Sequence, residues 1–255
     1  MDALFIRKGT AFEPTELTRG PWDPNAQHGG APAALIAGEL ERVGDGRPCA
    51  RIALHLMKPV PLVPLTLEAE VVRDGRRARR MRVDLKAGDD VVCFAYALQL
   101  QGGNEPVPDV PLSGALERGP EDVKVTPRFT DYSMFGGDAV EVRFVKGGFE
   151  QPGPATAWFR LMVPVVEDEP VTPLQRAMAA ADFGNGISAA LNWEQYTFVN
   201  PELTVFLLRE PEGEWIGNDA ATAIDPGGIG LADATLHDAR GPIGRALQSL
   251  YVAKR

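Results

Sequence analysis

The strongest constraint on the fold is an arrangement that occurs twice along this 255-residue chain. In each half a glycine-marked helical segment comes first, and a series of extended segments follows it. In the first half, residues 29–43 concentrate Ala, Leu and Ile, which predicts a mostly buried helix. In the second half, Thr172 can cap a helix that begins at Pro173 and continues over residues 174–191, with a break near Gly184.

The extended segments differ in how they are covered. Met81, Val83 and Leu85 alternate with Arg82 and Asp84, which predicts a strand that is buried on one face only. We interpret the other extended segments as strands that return on each other around turns. They are residues 51–57, 65–72, 91–98, 140–145, 156–163, 203–208, 215–223, 230–236 and 244–252. The pattern predicts an α+β fold with two antiparallel sheets, each wrapped around a central helix.

One strand predicts association between chains. Residues 91–98 are apolar on both faces, as is typical of a strand that is covered on both sides. The helix of the first half can cover one face, and the other face needs a partner. We therefore expect a homo-oligomer, with a homodimer as the simplest case.

The middle of the chain predicts a connection between two units. Over residues 102–127 the periodicity is replaced by Gly, Pro, Asn and Asp. We therefore divide the chain into an N-terminal unit at residues 1–112, a linker at 113–128 and a C-terminal unit at 129–255.

Composition limits the function classes. The formal net charge is -9, and nucleic-acid binding favours a basic face, so we expect no nucleic-acid partner. No apolar stretch approaches the ~20 residues of a membrane span, and the first residues lack the features of a leader, so we expect a cytoplasmic protein without a membrane partner. Cys49 and Cys93 have neither metal-binding nor redox spacing, which favours buried free thiols.

Asp182 is the acidic residue that most needs an explanation. It lies in the apolar helical segment of the second half, and the corresponding segment of the first half has no acid there. A buried carboxylate is costly unless it is hydrogen-bonded or functional. Capping the second part of a broken helix is the structural alternative. The sequence has no nucleophilic-serine elbow, no zinc motif and no phosphate-binding loop, so we expect no metal and no cofactor.

Several motifs in order resemble one known family. They are residues 19–22, 27–32, 182–186, 198–203, 209–215 and 241–250. Together they resemble the double-hotdog acyl-CoA thioesterases of the thioesterase II type and their bacterial thioesterase-like relatives, over nearly the whole chain. The resemblance implies a double hotdog that hydrolyses acyl-CoA thioesters, with acyl-CoA as the small-molecule partner. It does not indicate the length or class of the acyl group.

The resemblance also implies a catalytic set. The family uses an Asp on the second hotdog helix, a Thr early in the following strand and a Gln on the last strand. Asp182 and Gln248 match the first and third positions, and Asn200 aligns with the second, where an amide replaces the hydroxyl. Thr204 lies an even number of residues after Asn200 on an extended segment, so it is an alternative for the middle position and a candidate substrate-binding residue.

The start of the first helix completes the predicted site. His28, Gly29 and Gly30 match the entry to the first hotdog helix, and we take them as substrate-binding candidates. Backbone N–H groups near a glycine-interrupted helix can approach the thioester carbonyl, and the sequence does not determine which helix end provides them. A basic run between residues 76 and 82 could contact phosphates of coenzyme A, although a solvent-facing strand is the simpler interpretation.

Two other functions stay open at this point. The replacement of Thr by Asn200 is compatible with a protein that binds acyl-CoA or an acyl carrier without turning it over. A hotdog enoyl-CoA hydratase is the other alternative. The sequence argues against it, because residues 200–204 lead to Thr204 and contain no His, whereas the hydratase pattern Asp-x-Asn-x-x-His has one.

Overall fold

The structure is a computed structural model that describes residues 2–103, 105–110, 112, 114–128 and 131–255. Its helices are α1 Gly30–Val43, α2 Pro173–Ala181 and α3 Gly184–Ile187, and short helical turns occur at Glu16–Thr18, Pro120–Asp122 and Phe135–Ala139. Its strands are β1 Phe5–Lys8, β2 Ala11–Pro14, β3 Cys49–Leu56, β4 Leu65–Asp74, β5 Ala78–Ala87, β6 Asp90–Leu100, β7 Val140–Gly148, β8 Gln151–Leu161, β9 Tyr196–Val199, β10 Glu202–Leu207, β11 Trp215–Asp225, β12 Ile229–Asp238 and β13 Gly241–Lys254.

All the strands belong to one antiparallel sheet. The strands of the first half run in the order β1-β2-β4-β5-β6-β3, those of the second half in the order β10-β13-β12-β11-β8-β7, and β9 pairs with β13. The halves meet where β3 pairs with β10, with Leu54 opposite Leu203 and Ile52 opposite Val205. The two predicted sheets are therefore joined edge to edge, which pairs the backbone groups that two separate sheets would leave open.

The helices lie on the concave side of this sheet. Helix α1 contacts β4, β5 and β6, whereas α2 and α3 contact β8, β11 and β12, and α1 and α2 contact each other. Small side chains allow this close approach. Ala34 and Ala37 of α1 and Ala177 and Ala180 of α2 are buried. A Cβ at Gly38 of α1 would lie 2.6 Å from the Gln175 amide nitrogen of α2.

Local predictions from residue pattern are confirmed where the signal is strong. In β5, Met81, Val83 and Leu85 are fully buried, and the residues between them are not. Thr172 caps α2 through a reciprocal pair of hydrogen bonds with Gln175, and Pro173 is the first helical residue. The break in the long helical segment falls between α2 and α3. The short strands β1, β2 and β9 were not predicted, because four residues are too few to establish a period.

The convex face of the sheet is only partly covered within one chain. Trp158 on β8 donates a hydrogen bond of 2.9 Å to the Arg118 carbonyl, so the connecting segment crosses the outside of the second half. Near the junction of the halves, Tyr96 of β6 is 39% exposed, and Phe206 of β10, on the other side of β3, is 43% exposed. Among the described residues, Arg82 and His55 cover Phe94, but no second layer of the chain covers this face of β6. The domain boundaries and the homo-oligomer stay predictions.

Candidate active site

Asp182 lies at the junction of α2 and α3, where it faces the first residues of α1. Its side chain is 5% exposed. It forms part of the wall of a cavity of about 400 Å³, which is also lined by His28, Gly29 and Asn200. The carboxylate accepts hydrogen bonds from side chains, and α3 has no side-chain cap. The capping interpretation of Asp182 is therefore wrong.

Two amides donate to the same oxygen of Asp182. Asn200 Nδ2 lies 2.9 Å from Oδ1, and Gln248 Nε2 lies 3.1 Å from it. The Gln248 amide oxygen accepts from the backbone N–H of Asn185 at 2.9 Å, and Gln248 is only 1% exposed. These bonds fix the rotation of the carboxylate and use both lone-pair directions of Oδ1. Oδ2 remains the oxygen that can accept a proton.

His28 lies beside Oδ2. Its Nδ1 is 3.1 Å from Oδ2 and accepts a hydrogen bond of 3.0 Å from the Gly30 backbone N–H at the start of α1. The imidazole is held between the rings of Phe135 and Phe183, with ring centroids 4.9 and 4.6 Å away. The side chain is 12% exposed, so the ring has one well-defined position at the cavity wall.

Gly29 is close to the carboxylate for a steric reason. A Cβ at this position would lie 2.8 Å from Asp182 Oδ2, so a larger residue would displace the acid. Among the residues that the structure describes, no group accepts from the Gly29 backbone N–H. This N–H lies at the positive end of the 14-residue helix α1 and next to the cavity. It can therefore bind an anionic oxygen.

The structure corrects the reasoning that led to Thr204. On β13, Tyr251 pairs with Val199 of β9. A regular ladder would then place Leu203 opposite Leu247, but Thr204 lies there, so one extra residue is inserted between β9 and β10. Such a bulge reverses the faces, and the even spacing no longer places Thr204 on the side of Asn200. The Thr204 hydroxyl donates to Glu202 at 3.1 Å, and Thr204 does not line the cavity.

Other candidate nucleophiles are poorly placed. Burial raises the pKa of the Cys49 thiol to about 11, and burial together with the charge of Asp182 raises the pKa of Cys93 well above its ordinary value. Both thiols are free, buried and absent from the cavity wall. Ser188 bonds the Gly184 carbonyl and the Thr222 hydroxyl, and so has no base beside it.

The remaining cavity wall is mainly apolar, with one cation. Trp22 stacks on Trp193 with ring centroids 4.9 Å apart, and Phe149 and Lys58 also line the cavity. None of the arginines between residues 76 and 82 does so, and the pair formed by Arg79 and Asp74 lies elsewhere on the sheet. Within the described part of the chain, no group of three or more His, Cys, Asp or Glu side chains is arranged to hold a metal ion.

Sequence reasoning missed some of the residues around the acid. Phe135 stacks on His28, and the backbone of Asn185 orients Gln248. The only signal for Phe135 was its position before Gly136 and Gly137, where the chain bends sharply. No pattern in the sequence indicated that Gly29 would touch Asp182, because these residues belong to different halves.

Comparison with known proteins identifies the family. The chain matches the acyl-CoA thioesterase N-terminal domain over residues 18–100 and the acyl-CoA thioesterase C-terminal domain over residues 113–252. No curated protein sequence matches it. In the described part of the chain, none of the helices has the length and hydrophobicity needed to cross a bilayer.

Solved structures share the fold at low sequence identity. A proposed thioesterase II from Thermobifida fusca is 15% identical, with a TM-score of 0.78 over 98% of this chain and 95% of its own. A protein with a hot dog fold from Alicyclobacillus acidocaldarius is 17% identical, with a TM-score of 0.70 over 98% and 95%. The acyl-CoA thioesterase II TesB2 of Mycobacterium marinum is 15% identical, with a TM-score of 0.65 over 90% of each chain. This chain is a double hotdog and belongs to the acyl-CoA thioesterase family.

Proposed function

We propose that this protein hydrolyses acyl-CoA thioesters to a free acid and coenzyme A, with Asp182 as the general base. The observation that carries the proposal is the convergence of three distant side chains. Asn200 and Gln248 both donate to Oδ1 of a buried carboxylate, which leaves Oδ2 beside the cavity. A thioester carbonyl is already electrophilic, so the reaction needs an oriented water and a base to accept its proton.

The three polar side chains have different roles in this proposal. Asp182 Oδ2 takes one proton from the attacking water. Asn200 lines the cavity and can also contact that water through its amide oxygen. Gln248 is a positioning residue, because it does not line the cavity and all its contacts serve to orient Asp182. At position 200, where the family pattern has a hydroxyl, an amide donates to Asp182.

The Gly29 N–H is our candidate for stabilising the tetrahedral oxyanion. It lies at the end of α1, where the helix dipole favours negative charge, and it is next to Asp182. A fixed backbone donor in a site that excludes water stabilises the developing charge without reorganising. The Gly30 N–H is not our candidate for this role, because it already donates to His28 Nδ1.

The substrate follows from the cavity wall. Aromatic side chains such as Trp22, Phe149 and Trp193 provide an apolar surface for an acyl group. Lys58 lines the same cavity and can contact a phosphate of coenzyme A. The proposed mechanism uses no metal and no cofactor.

Release of thiol from a series of acyl-CoA chain lengths tests this function. We expect the wild-type protein to release coenzyme A, and Asp182→Asn to lower kcat by about a hundredfold to ten-thousandfold, as is typical of general-base removal. A non-catalytic binder would be stabilised thermally by acyl-CoA and would release no thiol. An enoyl-CoA hydratase would instead remove the enoyl absorbance of crotonyl-CoA. Either result would contradict the proposal.

A further inference from the structure

We propose that His28 protonates the sulfur of coenzyme A as the thioester bond breaks. This role rests on the proposed function and adds a second proton-transfer group to it. Three observations carry the inference: the hydrogen bond that fixes the imidazole tautomer, the position of the ring next to both the acid and the cavity, and the unbonded second nitrogen.

The tautomer follows from the contact with α1. The Gly30 N–H donates to Nδ1 at 3.0 Å, so Nδ1 presents its lone pair. In a neutral imidazole the ring proton is then on Nε2. This N–H belongs to the first residue of a 14-residue helix, and the rings of Phe135 and Phe183 prevent the imidazole from turning away.

The Nε2–H group faces the cavity. Within the described part of the chain, no group bonds Nε2. This atom is also not one of the buried polar atoms without a partner, so it is accessible. Because His28 lines the cavity, the proton on Nε2 is available to a bound substrate. Asp182 is the charged group that touches the ring, through the Nδ1 and Oδ2 atoms at 3.1 Å. The ring therefore contacts the base through Nδ1 and has Nε2 available to the leaving group.

The proton transfers balance over one turnover. Water gives one proton to Asp182 Oδ2, and its oxygen forms a bond to the carbonyl carbon. As the C–S bond breaks, sulfur takes the electron pair and the Nε2 proton of His28. In the same step Nδ1 gives up its hydrogen bond from Gly30 and takes the proton of Oδ2, so the ring stays neutral and the products are a carboxylic acid and a thiol. After release, exchange with solvent returns the ring proton to Nε2.

A change of leaving group tests this role. Alkyl thiols such as coenzyme A have a pKa of about 8.5 or above, so their departure benefits from protonation, whereas an activated aryl thiolate leaves without it. We would compare wild-type protein and His28→Gln with an acyl-CoA and with the 4-nitrothiophenyl thioester of the same acid. We expect kcat to fall about a hundredfold for acyl-CoA and less than about threefold for the aryl thioester.

The outcomes separate this role from the proposed function. An equal loss for both substrates would assign His28 a purely structural role, and no loss for either would remove it from the reaction. Wild-type protein that releases no thiol from either substrate would overturn the proposed function itself. If His28→Gln does not fold, the rates of the wild-type protein with a series of thiol leaving groups test the same role. Protonation of the leaving sulfur predicts that the rate depends weakly on the pKa of the thiol. A steep dependence would contradict the role.

Discussion

At the scale of single residues, the candidate site depends on contacts between groups from both halves of the chain. Gly29 and His28 come from the start of α1, and Asp182 comes from the end of α2. Position 29 tolerates little change, since a Cβ there would lie 2.8 Å from Oδ2. The acid therefore has its position because the residue opposite it has no side chain.

We predict that Gly29→Ala lowers kcat/KM for thiol release by about a hundredfold. The added methyl group displaces the carboxylate, and a shift of about 1 Å in a reacting group commonly has an effect of this size. Gly102→Ala is the matched control, because nothing lies within 4 Å of its Cβ position. Full activity of Gly29→Ala would show that the position of Oδ2 does not matter.

The sequence allowed part of this site to be predicted. Asp182 and Gln248 followed from motifs that resemble a known family, and the structure brings the two side chains within 3.1 Å. Thr204 could not be excluded from the sequence, because a one-residue bulge between β9 and β10 leaves no pattern there. The tautomer of His28 also depends on a contact that spacing alone does not specify.

At the scale of elements, helix α2 ends next to Asp182, and hydrogen bonds of Thr172 hold its first turn in place. Thr172 Oγ1 accepts from the Gln175 backbone N–H at 3.2 Å and donates to Glu41 at the end of α1 at 2.5 Å. Burial raises the pKa of Glu41, and the hydrogen bond from Thr172 opposes that shift. One hydroxyl therefore caps α2 and joins the two helices.

We predict that Thr172→Ala lowers the free energy of unfolding by about 1 to 2 kcal/mol, the usual effect of losing a helix cap. Denaturant unfolding at constant pH measures this change. Thr172→Ser keeps the hydroxyl and should lose much less. Equal stability of the Ala and Ser variants would contradict the capping role.

The long elements were predictable, and their assembly was not. Alternation in β5 and the cap of α2 are local patterns, so the sequence indicated them directly. The pairing of β3 with β10 joins residues about 150 positions apart, and only tertiary packing selects it. The same applies to β9, whose four residues pair with the end of β13.

At the scale of the whole molecule, the partly covered convex face predicts self-association. Tyr96 and Phe206 are exposed on this face on either side of β3, near the place where the two halves join, and Phe94 and Leu98 next to Tyr96 are half-buried. Exposed apolar side chains on one face of a sheet can form an interface. A second copy of the chain would provide the cover that residues 91–98 require.

We predict that the protein sediments at twice the 27.5 kDa mass of one chain or more. Phe206→Glu would place a charge in the interface and should shift the protein toward monomer. Val107→Glu is the control, because Val107 is 84% exposed in the connecting segment. A monomeric wild-type protein, or equal behaviour of the two variants, would contradict this interface.

The central claim is that Gln248 acts on the reaction only through the carboxylate of Asp182. A double-mutant cycle on kcat for thiol release, with Asp182→Asn, Gln248→Ala and the combined variant, tests it most directly. Our account predicts that each single change slows the reaction and that Gln248→Ala adds less than about threefold once Asp182 is replaced. A loss of the same factor in both backgrounds would contradict it.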